Sequence, residues 1–118
     1  MNTRIEKIDL ITLVIAEGRL DFSAAAGFQT QVEQALAAAG KAPAAVIIDC
    51  AGLEYVSSAG LRVFLFAARN SQRTGLYFAV CALQHAVREV FDLSGFSGVM
   101  AVHTDQPTAR AAALKKPT

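Results

Sequence analysis

At 118 residues, with 53% apolar side chains, no tryptophan and a formal net charge of +1, the chain is sized for one domain over 1–118 with a core of its own. No basic run precedes Lys115-Lys116, which weighs against nucleic acid or an anionic membrane as a partner, since either would demand a basic face. No apolar run approaches the ~20 residues of a membrane span, and Arg4, Glu6, Lys7 and Asp9 break up the start where a signal peptide would be apolar. The expectation is a cytoplasmic protein. Its two cysteines, Cys50 and Cys81, lack any CxxC spacing and follow apolar runs, so they read as buried free thiols rather than ligands.

In chain order, residues 3–8 and 10–17 are rich in β-branched and aliphatic side chains and predict an antiparallel strand pair turning near Lys7-Ile8-Asp9. Gly18 is expected to end the second strand. Phe28, Val32, Ala35, Leu36 and Ala39 recur at helical spacing within a helix over Phe22–Ala39, capped by Asp21 or Ser23 and stopped by Gly40. Lys41-Ala42-Pro43 reads as a connector. Residues 44–48 form a continuous apolar strand of the kind buried on both faces of a parallel sheet, and Ala51–Val56 is expected to be a loop. A helix then starts near Ser57 or Ser58, with Leu61, Phe64, Leu65 and Ala68 as its core stripe. Strand 76–81, helix 84–93 with Val87, Val90 and Phe91 inward, and strand 99–103 follow. A last short helix is capped by Thr104 or Asp105, with Pro107 in its first turn. The order ββαβαβαβα predicts an α/β fold: a mixed sheet with an antiparallel opening pair, parallel βαβ units and packed helices. Val63, Phe66 and Ala67 add apolar surface beyond the stripe of helix 59–70. A neighbouring helix is the favoured cover for it, a partner protein the other.

Residues 49–62 read Asp-Cys-Ala-Gly-Leu-Glu-Tyr-Val-Ser-Ser-Ala-Gly-Leu-Arg: a buried strand ends and two serines stand where a helix starts. Taken alone, such a serine is a helix cap, worth ~1 kcal/mol. The segment also resembles the signature of STAS domains, in particular the bacterial anti-sigma-factor antagonists, in which a strand and loop lead into a run close to Asp-Ser-Ser-Gly-Leu. Asp21 in Gly18-Arg19-Leu20-Asp21 is similar to that family's run before its first helix, and Val90–Phe96 is similar to its C-terminal helix-to-strand run. The resemblance implies the STAS fold and a non-enzymatic regulator. Its implied partners are an anti-sigma factor that is also a serine kinase and a serine phosphatase for reset, with no cofactor, metal or small-molecule substrate. It places Ser58 at the phosphoacceptor position, Ala59 on the following small residue and Gly60-Leu61 on the final pair. Two departures matter. Ser57 stands where the family pattern has aspartate, which makes it a rival acceptor. Arg62 replaces a glycine and puts a cation within reach of a phosphate or an acidic partner. Gly60, inside a helix's first turn, is expected to admit close approach of a partner or of the loop. The partner-binding surface implied is Asp21, Ser57, Ser58, Ala59, Gly60, Arg62, Val63 and Phe66. A constitutive STAS adaptor, such as a transporter accessory subunit or signalling scaffold without a phospho-switch, is the alternative.

Enzyme readings find little support. Val56 two positions before Ser58 rules out a Gly-x-Ser-x-Gly elbow. His85 and His103 are isolated in sequence, and no Gly-x-x-x-x-Gly-Lys, Gly-x-Gly-x-x-Gly or HExxH run occurs.

Overall fold

The structure, a computed structural model, describes residues 1–40 and 43–115. The opening aliphatic residues pair antiparallel as β1 (Asn2–Ile8) and β2 (Ile11–Leu20), with Ile8 opposite Ile11. The turn therefore falls on Asp9-Leu10, one step later than the sequence suggested. Asp9 supplies its left-handed residue, at φ +53°, a conformation aspartate tolerates better than most side chains. Gly18 does not end β2. It sits at φ +101° where the register with the next strand shifts, and β2 continues to Leu20.

That extension has a counterpart. The expected loop at 51–56 is the second half of a twelve-residue strand, β3 (Ala45–Val56), pairing parallel with Glu17–Leu20. Leu53 and Val56 point into the core while Glu54 and Tyr55 face solvent. The Asp49 carboxylate accepts the Ala51 N–H at 2.9 Å and a Gln106 side-chain N–H at 2.7 Å at the register break. The glycine-containing run at 51–55 thus belongs to an irregular strand, not to a loop.

Helix α1 (Phe22–Ala39) lies between β2 and β3, and α2 (Ser58–Thr74) between β3 and β4 (Tyr77–Cys81). After β4 come α3 (His85–Leu93), a 3₁₀ turn at Phe96–Gly98, β5 (Ala101–His103) and α4 (Gln106–Leu114). Asp21 caps α1, and Asp105 caps α4 by accepting the Thr108 N–H at 2.8 Å. Of the expected connector at 41–43, Lys41 and Ala42 lie outside the described residues, as does Lys116 of the tail.

The sheet order is β1-β2-β3-β4-β5, parallel except for β1. Every crossover from β2 onward steps in the same direction, so right-handed connections put α1, α2 and α3 on one face. They share one core cluster there, in which Phe64 meets Phe28 at 5.5 Å and Phe91 at 5.1 Å between ring centroids. The other face carries a smaller cluster of Ile11, Leu13, Ala45, Ile47 and Cys81 with Ala109 of α4. Among the described residues the strand order never reverses, so this sheet offers no switch-point crevice of the kind in which doubly wound folds seat nucleotides.

The buried side of α2 is Gly60, Val63, Phe64, Ala67, Ala68 and Ser71, whereas Leu61 and Leu65 are only half-buried. The expected stripe was rotated. Helix α2 packs against α1 as well as the sheet, which widens its buried arc to include Val63 and Ala67. The two thiols lie on opposite faces of the sheet. Burial raises Cys81 to about 12 and pushes Cys50 well above its ordinary value, so both are inert thiols at neutral pH.

Candidate functional site

The starts of α1 and α2 are fastened side by side where β2 and β3 end. Asp21 accepts the Ala24 N–H and the Ser23 hydroxyl, each at 2.9 Å, and these two bonds hold its carboxyl below the ordinary carboxylate range. Immediately before it, the Leu20 carbonyl accepts the Ser57 N–H at 2.8 Å. Ser57 in turn caps α2: its Oγ accepts the Gly60 N–H at 3.1 Å and its carbonyl accepts the Leu61 N–H at 2.9 Å.

The two serines therefore differ in kind. Ser57 is half-buried, with its amide, carbonyl and hydroxyl all engaged. Ser58, the first residue of α2, is exposed, and its hydroxyl takes part in no hydrogen bond among the described residues. A helix start leaves four amides without intrahelical partners; with those of Ser57 and Gly60 occupied, the amides of Ser58 and Ala59 remain, at the end of the helix that favours anions.

The expected partner surface is only partly assembled. Asp21, Ala59 and Phe66 are half-buried and Arg62 is exposed, one turn beyond Ser58 on the same side of α2. Val63, at 4% exposure, is core and cannot meet a partner. Gly60 is also buried, and of the two approaches expected the structure shows one within the fold: a Cβ there would lie 2.5 Å from Leu20 Cγ, 2.7 Å from its Cδ2 and 3.1 Å from Cγ2 of Val56, at the end of the segment read as the loop. The glycine admits Leu20, which joins the two helix starts, rather than a partner. Gly60→Ala gains about 1 kcal/mol of helix propensity but overpacks a fully buried leucine, at a cost of about 1–3 kcal/mol. We expect a net loss of about 1 kcal/mol in chemical denaturation; a variant more stable than the parent would mean that Leu20 repacks freely.

Two residues that sequence reasoning passed over stand at this end. Phe22, the first residue of α1, is 82% exposed, and Tyr55 is 41% exposed with the Arg19 guanidinium 4.4 Å from its ring centroid. The signal for Phe22 was present: at 100° per residue it falls roughly a quarter-turn from the centre of the Phe28-Val32-Ala35-Leu36-Ala39 stripe.

Neither histidine serves a serine. His85 Nε2 contacts Glu89 at 2.8 Å on exposed α3, and His103 Nε2 shares a 2.8 Å hydrogen bond with the Tyr77 hydroxyl. Among the described residues no three His, Cys, Asp or Glu side chains converge as metal ligands, and no helix is long and apolar enough to cross a membrane.

Comparison with known proteins agrees with this fold. The family model of the STAS domain matches residues 2–111. BtrV of Bordetella bronchiseptica, named as an anti-sigma factor antagonist, is 34% identical over 113 residues, covering 95% of this chain and 94% of BtrV. An anti-sigma factor antagonist from Mycobacterium paratuberculosis superposes with a TM-score of 0.86 at 22% identity, over 97% of this chain and 94% of that one. SpoIIAA, an anti-sigma factor antagonist of Bacillus, has been solved in unphosphorylated and phosphorylated forms. The unphosphorylated form superposes with a TM-score of 0.75 at 18% identity, over 98% of this chain and 100% of SpoIIAA.

Proposed function

This chain belongs to the STAS domain family, among the anti-sigma factor antagonists, and from that premise we propose that it is a partner-binding switch governed by Ser58. In the unphosphorylated state, the end of the molecule where α1 and α2 begin binds an anti-sigma factor that is also a serine kinase, and a sigma factor is freed. The kinase then transfers the γ-phosphoryl group of ATP to Ser58 Oγ; the hydroxyl proton leaves to a base of the kinase, ADP departs and the complex separates. A phosphatase hydrolyses the ester and resets the cycle.

The observation that carries this reading is the division of labour between the serines. Ser57 does the work of a cap, so Ser58 is free to be modified without uncapping α2. Phosphoserine adds about −1.5 to −2 charge at neutral pH, and the helix start offsets part of it. A partner surface packed against a neutral hydroxyl would instead have to desolvate a dianion.

Incubation with ATP and a serine-kinase anti-sigma factor from the same genome tests the proposal. Mass spectrometry should find one phosphoryl group on Ser58, and Ser58→Ala should abolish it. Ser58→Asp should weaken kinase binding yet melt within a few degrees of the parent, because a carboxylate is tolerated at a helix start. Modification of Ser57 alone would keep the switch and overturn the residue; modification of neither would leave a constitutive adaptor.

A further inference from the structure

Beyond the acceptor, the outward side of α2 carries a second feature. Arg62, Phe66, Arg69 and Arg73 follow one another at intervals of four, three and four residues, which places them in a single row opposite Val63, Phe64, Ala67 and Ala68 of the core side. Leu65 and Gln72 flank the row, and the six residues line an open groove of about 650 Å³. The three arginines are exposed while Phe66 and Leu65 lie half-buried between them. No salt bridge among the described residues engages any of the three; the contacts found at that range are His85–Glu89 and Arg88–Asp92 on α3. Three unneutralised cations thus stand on one row of a chain whose formal net charge is only +1.

We propose that this row is a docking surface for an acidic amphipathic helix of the partner protein. At 1.5 Å per residue the arginines extend over about 16 Å, with Arg62 and Arg69 about 10 Å apart along the axis. One phosphate or one carboxylate cannot bridge that distance, whereas carboxylates repeating at the same four- and three-residue intervals match it along three turns of a second helix. Phe66 and Leu65 give that helix an apolar strip to cover between the charges, and guanidinium groups pair with carboxylates in bidentate fashion. The row begins one turn from Ser58. It therefore extends the interface proposed above, and it rests on that reading only for the identity of the partner.

The test uses the full chain and a synthetic 16-residue helical peptide with Glu and Leu in a four-three repeat, followed by fluorescence anisotropy. Its controls are the same peptide with Lys for Glu, and phosphatidylglycerol vesicles. The acidic peptide should bind, the Lys peptide should not, and affinity should fall as salt rises. Arg69→Glu/Arg73→Glu should weaken binding at least about tenfold, and Arg69→Gln/Arg73→Gln by less, with unchanged circular dichroism. Equal binding by the parent and the Glu double variant, or no binding of the acidic peptide, would overturn the proposal. Vesicle binding without peptide binding would overturn it in favour of a lipid surface. Mass spectrometry of Ser58 is independent of these arms, so loss of the switch and loss of the docking row are separately visible.

Discussion

Phe64→Ala should destabilise the protein by about 3–5 kcal/mol, a large part of the ~5–15 kcal/mol that separates a folded domain from its unfolded chain. Phe64 is fully buried and stands between Phe28 of α1 and Phe91 of α3, its ring 5.5 Å from one and 5.1 Å from the other. Removing it opens a cavity where three helices meet the sheet, and three elements anchored on separate strands cannot all move in to fill it. Urea denaturation followed by circular dichroism would measure the loss. Phe64→Leu, which keeps most of the volume, should cost clearly less. A loss below about 1.5 kcal/mol for the alanine variant would mean that the helices slide together and that the aromatic contacts do not organise this layer.

Phe22→Ala should act on binding and not on folding. A phenylalanine 82% exposed on the first turn of a helix contributes little to the core, so thermal stability should change by less than about 0.5 kcal/mol. On the proposed interface it is the large apolar side chain beside the acceptor end, the kind of residue that anchors an interface once a partner pocket closes over it. Its loss should weaken binding of the anti-sigma factor by about 2 kcal/mol or more, roughly thirtyfold, measured by isothermal titration calorimetry on unphosphorylated protein. Unchanged affinity would move the anchor to Tyr55 or to the α2 face.

The parts of the molecule with a single period were legible in the sequence. The aliphatic runs of β1, β2 and the first half of β3, the alanine-rich periodicity of α1 and the capping of α4 all follow from local patterns. What was hidden is where two patterns overlap. The far half of β3 reads as a loop because Ala51, Gly52 and Glu54 lack strand composition, yet the segment is held by Gly52, Leu53, Tyr55 and Val56, which pair with Glu17–Leu20. The register of α2 was obscured because it is covered from two directions, so five of its residues from Leu61 to Phe66 are apolar and the core side is set by its neighbours. Gly60 was legible only in part for a related reason: its tightest constraint comes from Leu20, forty positions earlier, and no local signal records that contact.

The margins of the sheet bear on how such a molecule lives among its own copies. On one side β5 is only three residues long; on the other, β1 exposes Arg4 and Glu6, and the Lys7 ammonium donates to the Ala38 carbonyl at 2.9 Å. A brief strand and a charged one are poor templates for strand addition by a neighbour. Strand addition between copies is thereby disfavoured at both margins, which leaves the helical side as the surface open to a partner.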